Sequence, residues 1–472
     1  MRPRVYMDAN ATTPLLPEVV EAMRPYWMER FGNASSIHLD GQQAHAAVDR
    51  ARETMAGFFN CHAAEVVFNS GGTEGDNTAL FGLLRPGDHC ITTSIEHSAI
   101  LQAAQRMAQN GVETTFVDPA PSGLIDPAEI ERAIRPHTRL ISVMLANNET
   151  GVLQPVEEIG KIAGAAGAFF HIDAVQGAGK VPFDVRRFGC HLCSISAHKM
   201  HGPKGVGALF VRRGTPIEPL LVGGSHERRR RAGTENVPGI VGLAKAAELA
   251  MLSLEDGTIP RLAALRDRLE TGILALPGTG VNGARQSAPE GRHENSPGQA
   301  QRSPGKDANN DLAPRRGAAN SFVHHNLGAP APDFGTWESA NPIFNDCHPE
   351  RPRAQRGGVE GPAVASSNGI PVPRVANTTN IWFDQLEGEA LVIALDLKGV
   401  SVSGGSACHS GATEPSHVLM AMGLDRNRAR ASLRFSLLKT ATEAEIDYVL
   451  QVVPQAVEHL RALSPAAAGT LG

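Results

Sequence analysis

The sequence of 472 residues has no excess of positive charge and no long hydrophobic run. Lysine and arginine together number 44 against 49 acidic residues, so the formal net charge is -5 at pH 7. This balance disfavours direct binding to nucleic acid or to an anionic membrane. No run of about 18 apolar residues occurs, and the opening stretch MRPRVYMDAN lacks the apolar core of a signal peptide. These absences predict a cytoplasmic protein whose partners are small molecules or other proteins.

Cysteine is also scarce, and its spacing forms no framework. The scattered positions argue against a disulfide scaffold and predict reduced thiols. Cys190 and Cys193 form one CxxC pair, but a structural zinc needs four ligands, and residues three apart in a strand face opposite sides. We therefore expect two buried strand residues there and no permanent metal site. The six cysteines are Cys61, Cys90, Cys190, Cys193, Cys347 and Cys408.

A regular alternation between about residues 64 and 210 predicts the fold class. Short apolar runs of strand type each precede a polar cluster and then a helix-like stretch. Strands that alternate with helices predict an α/β fold with a mostly parallel, doubly wound sheet. Ligands of such sheets bind beyond the carboxyl ends of the strands, where the polar clusters would meet. The runs are EVVF, HCITTSI, RLISVML, AFFHI and HLCSIS, and the clusters are NSGGTEGDN, EHS, ANNETG, DAVQG and AHKMHGPKG.

Changes in composition suggest the domain organisation. We assign residues 14–257 to a large domain, and residues 1–13 and 258–472 to a smaller one. The stretch 284–374 is crowded with Pro, Gly, Asn, Ser and Arg, and it has too little apolar surface to offset the entropy lost on ordering. We predict a disordered insertion there. Lengthening a loop from about 10 to about 100 residues costs on the order of 2 kcal/mol, which a large fold can bear.

Lysine is rare, with eight residues in the whole chain, and Lys199 directly follows a predicted strand in SISAHKMHGPKG. An amine can lose its proton and form a Schiff base with an aldehyde, which a guanidinium cannot do. Pyridoxal phosphate needs such a lysine, a carboxylate for its ring nitrogen, and donors for its phenolic oxygen and its phosphate. The other clusters contain all of these groups. Lys199 is therefore a candidate covalent anchor for this cofactor.

The remaining groups follow other predicted strands. Asp173 comes directly after an apolar run, where a buried carboxylate needs a cationic partner such as a pyridinium. Asn148 and Gln176 are neutral donors suited to the phenolic oxygen. Glycines and Thr73 lie at an apparent helix start, whose free amides suit a phosphate. Ser196 and His198, which flank the lysine, can add donors to the same phosphate.

Four further positions can each be interpreted either as functional residues or as residues without a specific role. His97 is either a solvated strand-end residue or a ring that lies over a planar cofactor and moves protons. Cys408 lies among glycines and serines in SVSGGSACHSGATEPSHV, and this polar, mobile setting favours an accessible nucleophile over a packed core thiol. Arg434 is either a clamp for a carboxylate or a surface residue. We interpret GGSHERRRRAGTEN as an anion site that ends in Thr234, rather than as a solvated loop.

In order along the chain, these motifs resemble the cysteine desulfurases of the NifS and IscS type. The resemblance runs from Val5 to about Leu460 and is interrupted only by the predicted insertion. It is carried by MDANATTPL, FGNASSIH, SGGTEGDN, EHSAI, ANNETG, HIDAVQGAGKVP, SAHKMHGPKGVGAL, RRAGTEN, GGSACHSG, EPSHVL and LRFSL.

The resemblance implies a fold-type I pyridoxal-phosphate homodimer, with a large α/β domain, a smaller α+β domain and a site at the subunit interface. It implies that Lys199 forms the Schiff base and then takes the α-proton of L-cysteine, and that Cys408 accepts the sulfur as a persulfide. An iron–sulfur scaffold or another acceptor protein would receive that sulfur for cluster assembly or tRNA thiolation. The resemblance also leaves room for Cys408 as a transient cluster ligand with a partner. The resemblance further implies that Asp173 contacts the ring nitrogen, that Asn148 and Gln176 donate to the phenolic oxygen, and that His97 stacks on the ring. Arg434, with Asn148, would bind the substrate carboxylate. The implied phosphate-binding residues are Gly72, Thr73, Ser196, His198 and, from the neighbouring subunit, Thr234.

Some positions depart from the pattern of that family. His409 stands where Thr is usual, Gly404 where Ser is common, and Gly75 where Ser is frequent. Part of the predicted insertion, NDCHPERPRAQRGGVEGPAVASS, reads like translated repeat DNA. Two alternatives therefore stay open. A selenocysteine lyase or related pyridoxal-phosphate lyase would share the fold and cofactor, and a non-catalytic scaffold of iron–sulfur assembly would keep the fold without the chemistry.

Overall fold

The computed structural model describes residues 4–283, 373–404 and 414–463. These residues belong to one compact unit. The strands are β1 (Val5–Tyr6), β2 (Val66–Asn69), β3 (His89–Thr93), β4 (Glu113–Val117), β5 (Thr138–Met144), β6 (Phe169–Asp173), β7 (Leu192–Ser196), β8 (Gly207–Val211), β9 (Thr279–Val281), β10 (Thr378–Phe383), β11 (Val400–Ser401), β12 (Ser403–Gly404) and β13 (Ser432–Ser436). The α-helices are α1 (Pro17–Met23), α2 (Pro25–Met28), α3 (Leu39–Phe59), α4 (Gly72–Leu83), α5 (Ser98–Gln109), α6 (Pro127–Ala133), α7 (Val156–Ala166), α8 (Val185–Phe188), α9 (Val237–Glu255), α10 (Thr258–Leu274), α11 (Gly388–Leu397), α12 (His417–Ala421), α13 (Arg426–Arg430) and α14 (Glu443–Leu463).

The central sheet has seven strands in the order β2-β8-β7-β6-β5-β3-β4. The pairs from β4 through β3, β5 and β6 to β7 are parallel, whereas β8 runs antiparallel to both β7 and β2. The predicted mostly parallel α/β sheet is therefore confirmed. All five apolar runs named above form strands of it, and the sequence reading missed β4 and β8.

Helices cover both faces of this sheet. On one face Ile91 and Ile141 share a core cluster with residues of α3, α7 and α9, and on the other Cys90 and Leu140 pack with residues of α4 and α5. Because both faces are covered, strands such as β3, β6 and β7 are buried along almost their whole length instead of having alternate residues exposed. By length and composition α9 could cross a membrane, but it packs against α1 and α3, which accounts for its apolar character.

A second, antiparallel sheet has the order β12-β13-β10-β9. It shares a separate core cluster with α10, α11 and α14. The N-terminal strand β1 pairs with β11, and this pairing ties residues near the start of the chain to that core. The domain limits given above stay a prediction.

The predicted end of the insertion needs a correction. Arg374 was assigned to it, yet its side chain is fully buried and forms an ion pair with Glu270, with Nη1 3.0 Å from Oε2. Arg374 also forms an isolated bridge with Val152. The folded chain therefore resumes by Pro373, because a buried charge pair and a backbone bridge need an ordered segment.

Candidate functional site

A cavity of about 230 Å³ lies at the carboxyl ends of the parallel strands. Its position is the one that the strand pattern predicts for a ligand of such a sheet. Asp173 is the last residue of β6, and the register places it between Met144 of β5 and Ser194 of β7. The lining residues are Gly72, Thr73, Asp76, His97, Met144, Ala146, Asn148, Asp173, Val175, Gln176, Ser196, His198 and Lys199.

Lys199 lies in a short 3₁₀ turn, Ala197–Lys199, directly after β7. Its Nζ donates hydrogen bonds to the backbone oxygens of Asn10, at 2.5 Å, and of Ala11, at 2.9 Å. The turn is held by Thr13, whose N–H and hydroxyl both donate to the backbone oxygen of His198. The N-terminal segment therefore fixes the amine at the wall of the cavity, among neutral backbone oxygens.

Asp173 lines this cavity, and the residue as a whole is only 5% exposed. Its Oδ1 accepts a hydrogen bond from the N–H of Val175 at 2.9 Å. Burial raises the pKa of Asp173, and the nearby charges of His97 and Lys199 offset this only in part. A cationic ring nitrogen placed beside it would favour the ionised form.

Two other acidic groups lie close to Asp173. Burial raises the pKa of Glu96 to about 8, and it raises the pKa of Asp76 well above its usual value. His171 lies 3.6 Å from Asp76, and burial lowers its pKa to about 3. Burial therefore disfavours the charged form of each of these three groups, as it does for Asp173 itself, and a cationic ligand would favour an ionised carboxylate beside it.

The helix α4 begins at the wall of the cavity, which Gly72 and Thr73 line. Gly71 precedes it at φ +144° and ψ -172°, and no side chain caps the helix. Within the described chain, the N–H groups of Gly72 and Thr73 have no acceptor. Free amides at a helix N-terminus suit an anion.

Ser196 and His198 also line the cavity and can add donors to an anion bound there. Burial and the charges of Lys199 and Lys204 lower the pKa of His198 to about 4. The ring is therefore neutral at physiological pH, and its Nδ1 lies 3.2 Å from the hydroxyl oxygen of Thr12.

His97 forms the N-cap of α5. Its Nδ1 accepts a hydrogen bond from the N–H of Ala99 at 3.1 Å. A neutral ring in this arrangement carries its proton on Nε2. Because His97 also lines the cavity, it can present either its ring face or that N–H to a ligand.

Gln176 and Arg434 connect the cavity to the segments around it. Gln176 Nε2 donates to the backbone oxygen of Asn10 at 2.9 Å. Arg434 is 3% exposed and does not line the cavity itself, but its Nη1 donates to the backbone oxygen of Asn148 at 3.0 Å. Its Nη2 lies 2.7 Å from Asp8 Oδ1. Arg434 therefore lies directly behind the residue that we expect to share a substrate carboxylate with it.

Comparison with known proteins identifies the family. The model of the aminotransferase class-V family matches residues 5–293. A cysteine desulfurase of Trichormus variabilis is 40% identical over 465 residues, which cover 98% of this chain and 95% of the relative. The cysteine desulfurase IscS of Methanosarcina thermophila is also 40% identical, over 98% of this chain and 94% of the relative. The chain belongs to the cysteine desulfurases of this family.

Solved structures of desulfurase relatives agree with this placement. A NifS-like protein superposes with a TM-score of 0.74 at 30% identity, covering 97% of this chain and all of the other. DndA of Streptomyces lividans superposes with a TM-score of 0.62 at 31% identity, covering 92% and 99% of the two chains. A structure described as SspA in complex with cysteine has a TM-score of 0.65 at 27% identity, over 92% and 98% of the two chains. The fold-type I assignment is therefore confirmed.

Members of this desulfurase family generally use pyridoxal phosphate, and the residues present fit that group. The uncapped start of α4 suits its phosphate, Asp173 suits a protonated ring nitrogen, and Lys199 can form a Schiff base with its aldehyde. The sequence reading therefore named groups that the fold gathers around one cavity: Gly72, Thr73, His97, Asn148, Asp173, Gln176, Ser196, His198 and Lys199.

Cys408 and His409 lie outside the described residues. Thr234 is exposed and does not line the cavity of its own chain. Its expected role from a neighbouring subunit stays a prediction.

The sequence reading missed Asn10, Asp76 and Lys180. Asn10 and Lys180 lie inside the motifs MDANATTPL and HIDAVQGAGKVP, which carried the resemblance, but neither was given a role. The scarcity of lysine was a usable signal for Lys180. For Asn10 the sequence offers no signal, because its importance comes from contacts with residues more than 100 positions away.

Proposed function

We propose that this chain is a pyridoxal-phosphate-dependent cysteine desulfurase. It would remove the sulfur of L-cysteine, release L-alanine and hold the sulfur as a persulfide on Cys408. The observation that carries the proposal is the convergence of the Lys199 amine, the buried Asp173 carboxylate and the uncapped start of α4 on one cavity, in a chain 40% identical to cysteine desulfurases.

When bound, the cofactor would supply an aldehyde that links to amines and a ring that accepts electrons from the substrate carbon. Lys199 would anchor that aldehyde and, once released by the substrate, hold the α-proton on Nζ. Asp173 would keep the ring nitrogen protonated, and the α4 amides would bind the phosphate. His97, through its Nε2–H, would move a proton near the substrate thiol, and Arg434 with Asn148 would orient the substrate carboxylate.

The net reaction is balanced without any other reagent. The C–S bond of L-cysteine breaks, an S–S bond forms with the enzyme thiol, and the thiol proton replaces sulfur on carbon to give alanine. A thiol must therefore be reactive. Among the described cysteines, Cys90, Cys190 and Cys193 are buried, and burial raises the pKa of the partly exposed Cys61 to about 12. Burial makes Cys90, Cys190 and Cys193 inaccessible, and the raised pKa of Cys61 suppresses its thiolate. This supports an acceptor outside the described residues, and the glycine- and serine-rich sequence around Cys408 favours that cysteine.

The test measures cofactor binding and alanine release together. Wild-type protein should show a cofactor absorbance band that borohydride fixes to Lys199, and it should release alanine from L-cysteine. Lys199→Ala should lose the fixed band and turnover, while the control Lys161→Ala, at an exposed position on α7, should change neither. A wild-type protein without the band, or with it but without turnover, would support the scaffold alternative.

The acceptor role of Cys408 needs its own comparison. Cys408→Ser should abolish alanine release from L-cysteine while leaving the cofactor band intact. The control Cys61→Ser changes a partly exposed cysteine outside the cavity and should retain activity. Equal rates for wild type and Cys408→Ser would point instead to the selenocysteine lyase alternative, for which rates with L-selenocysteine should be compared.

We also propose that the enzyme works as a homodimer. Four large apolar side chains are exposed within residues 27–37, namely Trp27 (52%), Met28 (83%), Phe31 (73%) and Ile37 (91%). An apolar patch of this kind is typical of an interface. Thr234 is exposed, as expected of a residue that would serve a neighbouring site.

Mixed dimers test this arrangement. A dimer of one Lys199→Ala chain and one Thr234→Ala chain contains one site with both residues intact only if Thr234 acts across the interface. We expect such dimers to bind cofactor with wild-type affinity at half the sites. Impaired affinity at every site, or a monomer by sedimentation at micromolar concentration, would contradict the proposal.

A further inference from the structure

Lys180 is a second amine close to Lys199, and the reaction outlined above does not use it. It follows β6 by seven residues and is partly buried. Its Nζ donates to Gln176 Oε1 at 2.9 Å and to Asn10 Oδ1 at 3.0 Å. Within residues 4–283, 373–404 and 414–463, no carboxylate lies within ion-pair distance of it. A lysine ammonium held only by neutral amide oxygens is unusual, because burial of an unpaired charge is costly.

The surroundings of Lys180 are unfavourable to its charge. Desolvation, together with the positive charges of Lys199 and Arg434, lowers the pKa of Lys180 to about 7. His201 and Lys439 border a small cavity together with Lys180 and Lys199, and they add no negative charge. If residue 180 only filled space, an apolar side chain would do so without the free-energy cost of burying an amine. A polar role for Lys180 is therefore expected.

The hydrogen bonds of Lys180 have a geometric consequence for Gln176. Lys180 donates to two amide oxygens, and in its ammonium form it has no acceptor, so that form can contact only the oxygen end of the Gln176 amide. The backbone oxygen of Asn10, in turn, can contact only the nitrogen end, at 2.9 Å. The two contacts together fix which end of the amide is which. They also leave the second N–H of Gln176 without an acceptor in the described part of the chain, beside the cavity that Gln176 lines.

We propose that Lys180 is a positioning residue for the cofactor: by binding Gln176 Oε1, it turns the Gln176 N–H toward the phenolic oxygen of the bound cofactor. This rests on the proposed function, since a phenolic oxygen is present only if pyridoxal phosphate occupies the cavity. Asn10 completes the arrangement. Its backbone oxygen accepts from both Lys199 and Gln176, while its side-chain oxygen accepts from Lys180.

The first experiment measures cofactor affinity in a double-mutant cycle. Apoenzymes of wild type, Lys180→Met, Gln176→Ala and the double variant are titrated with pyridoxal phosphate, with Lys161→Met as the surface control. We expect Lys180→Met to weaken binding about tenfold, as for loss of one charge-assisted hydrogen bond. In the Gln176→Ala background the same change should have an effect of less than about twofold, because the two residues act as a unit.

A spectroscopic readout separates positioning from a general loss of structure. Lys180→Met should shift the absorbance of the bound cofactor, because the phenolic oxygen loses its donor, and Gln176→Ala should give the same shift. Lys180→Arg, which keeps a donor-only cation, should restore part of the wild-type spectrum. If Lys180→Met does not fold, Lys180→Ala takes its place.

The outcomes separate this inference from the proposed function. If the wild type binds no cofactor, the proposed function fails. If the wild type binds it and the effects of Lys180→Met and Gln176→Ala on affinity are additive, Lys180 acts independently of Gln176 and the inference is overturned. An unchanged spectrum in Lys180→Met would overturn it as well.

Discussion

The glycine that precedes α4 offers a quantitative test of the anion site. Gly71 has φ +144° and ψ -172°, a conformation that is open almost only to glycine. Forcing an alanine into such a conformation costs about 1–3 kcal/mol. A Cβ at this position would otherwise find room, since its nearest neighbour, Ser196 Oγ, lies 3.4 Å away. The effect of Gly71→Ala is therefore one of backbone strain rather than of collision.

The protein can respond to this strain in two ways. If the backbone keeps its conformation, the free energy of unfolding falls and cofactor affinity is retained. If the backbone relaxes, the amides of Gly72 and Thr73 turn away from the cavity and the affinity falls. The two losses should together amount to about 1–3 kcal/mol, which in affinity alone corresponds to a weakening of about 5-fold to 150-fold.

The assay titrates apoenzyme with pyridoxal phosphate and, separately, with pyridoxal, which lacks the phosphate. Any loss of affinity should appear with pyridoxal phosphate and stay below about twofold with pyridoxal, because the amides contact only the phosphate. Gly57→Ala on α3 is the matched control, since nothing lies within 4 Å of its added Cβ. Equal losses of affinity for both ligands would refute the assignment of this helix start as the phosphate site. A variant unchanged in both stability and affinity would refute the strain argument.

Two further predictions concern the junction around Arg374. Desolvation alone would raise the pKa of Glu270, but the charge and hydrogen bonds of Arg374 outweigh it and hold the pKa below its usual value. The ion pair therefore contributes stability above a pH of about 4.5, and this stability is lost as the pH falls. Arg374→Met should lower the free energy of unfolding by about 3–5 kcal/mol, because it leaves the Glu270 carboxylate buried without that partner. The pH dependence of stability should then be reversed, so that the urea midpoint of the variant is higher at pH 5 than at pH 7. A variant with the pH dependence of the wild type would contradict this prediction. Deletion of residues 285–370 with a short linker should leave alanine release unchanged, because both flanks of the segment lie beside Val152. The backbone of Arg374 forms a bridge with Val152, and a Cβ at Gly283 would lie 3.2 Å from the Val152 side chain. Lost turnover would show that the segment is needed.

The sequence by itself determined the sheet and most of the residues around its ligand cavity. A strand covered on both faces is buried along its length and is therefore enriched in apolar residues, and the residue that follows it has to lie at the strand end. For this reason Asp173 and Lys199 could be placed from local pattern alone. The chemistry of one cofactor then linked clusters that are far apart in the chain. The direction of a strand leaves no signal in the hydrophobic pattern, and the antiparallel strand β8 was missed. Strand β4 was missed because most of its residues are not buried.

Only the tertiary structure decided which polar groups contact each other. Asn10 meets Lys180 across 170 positions of the chain and Lys199 across 189 positions. Arg374, in a stretch whose composition suggested disorder, is buried because Glu270 lies opposite to it. The pKa directions of Asp76, Asp173 and Lys180 have the same origin, since they depend on burial and on neighbouring charges that no local pattern encodes. Periodicity and spacing record which way a side chain faces, whereas its partner is set by the folding of distant segments against each other.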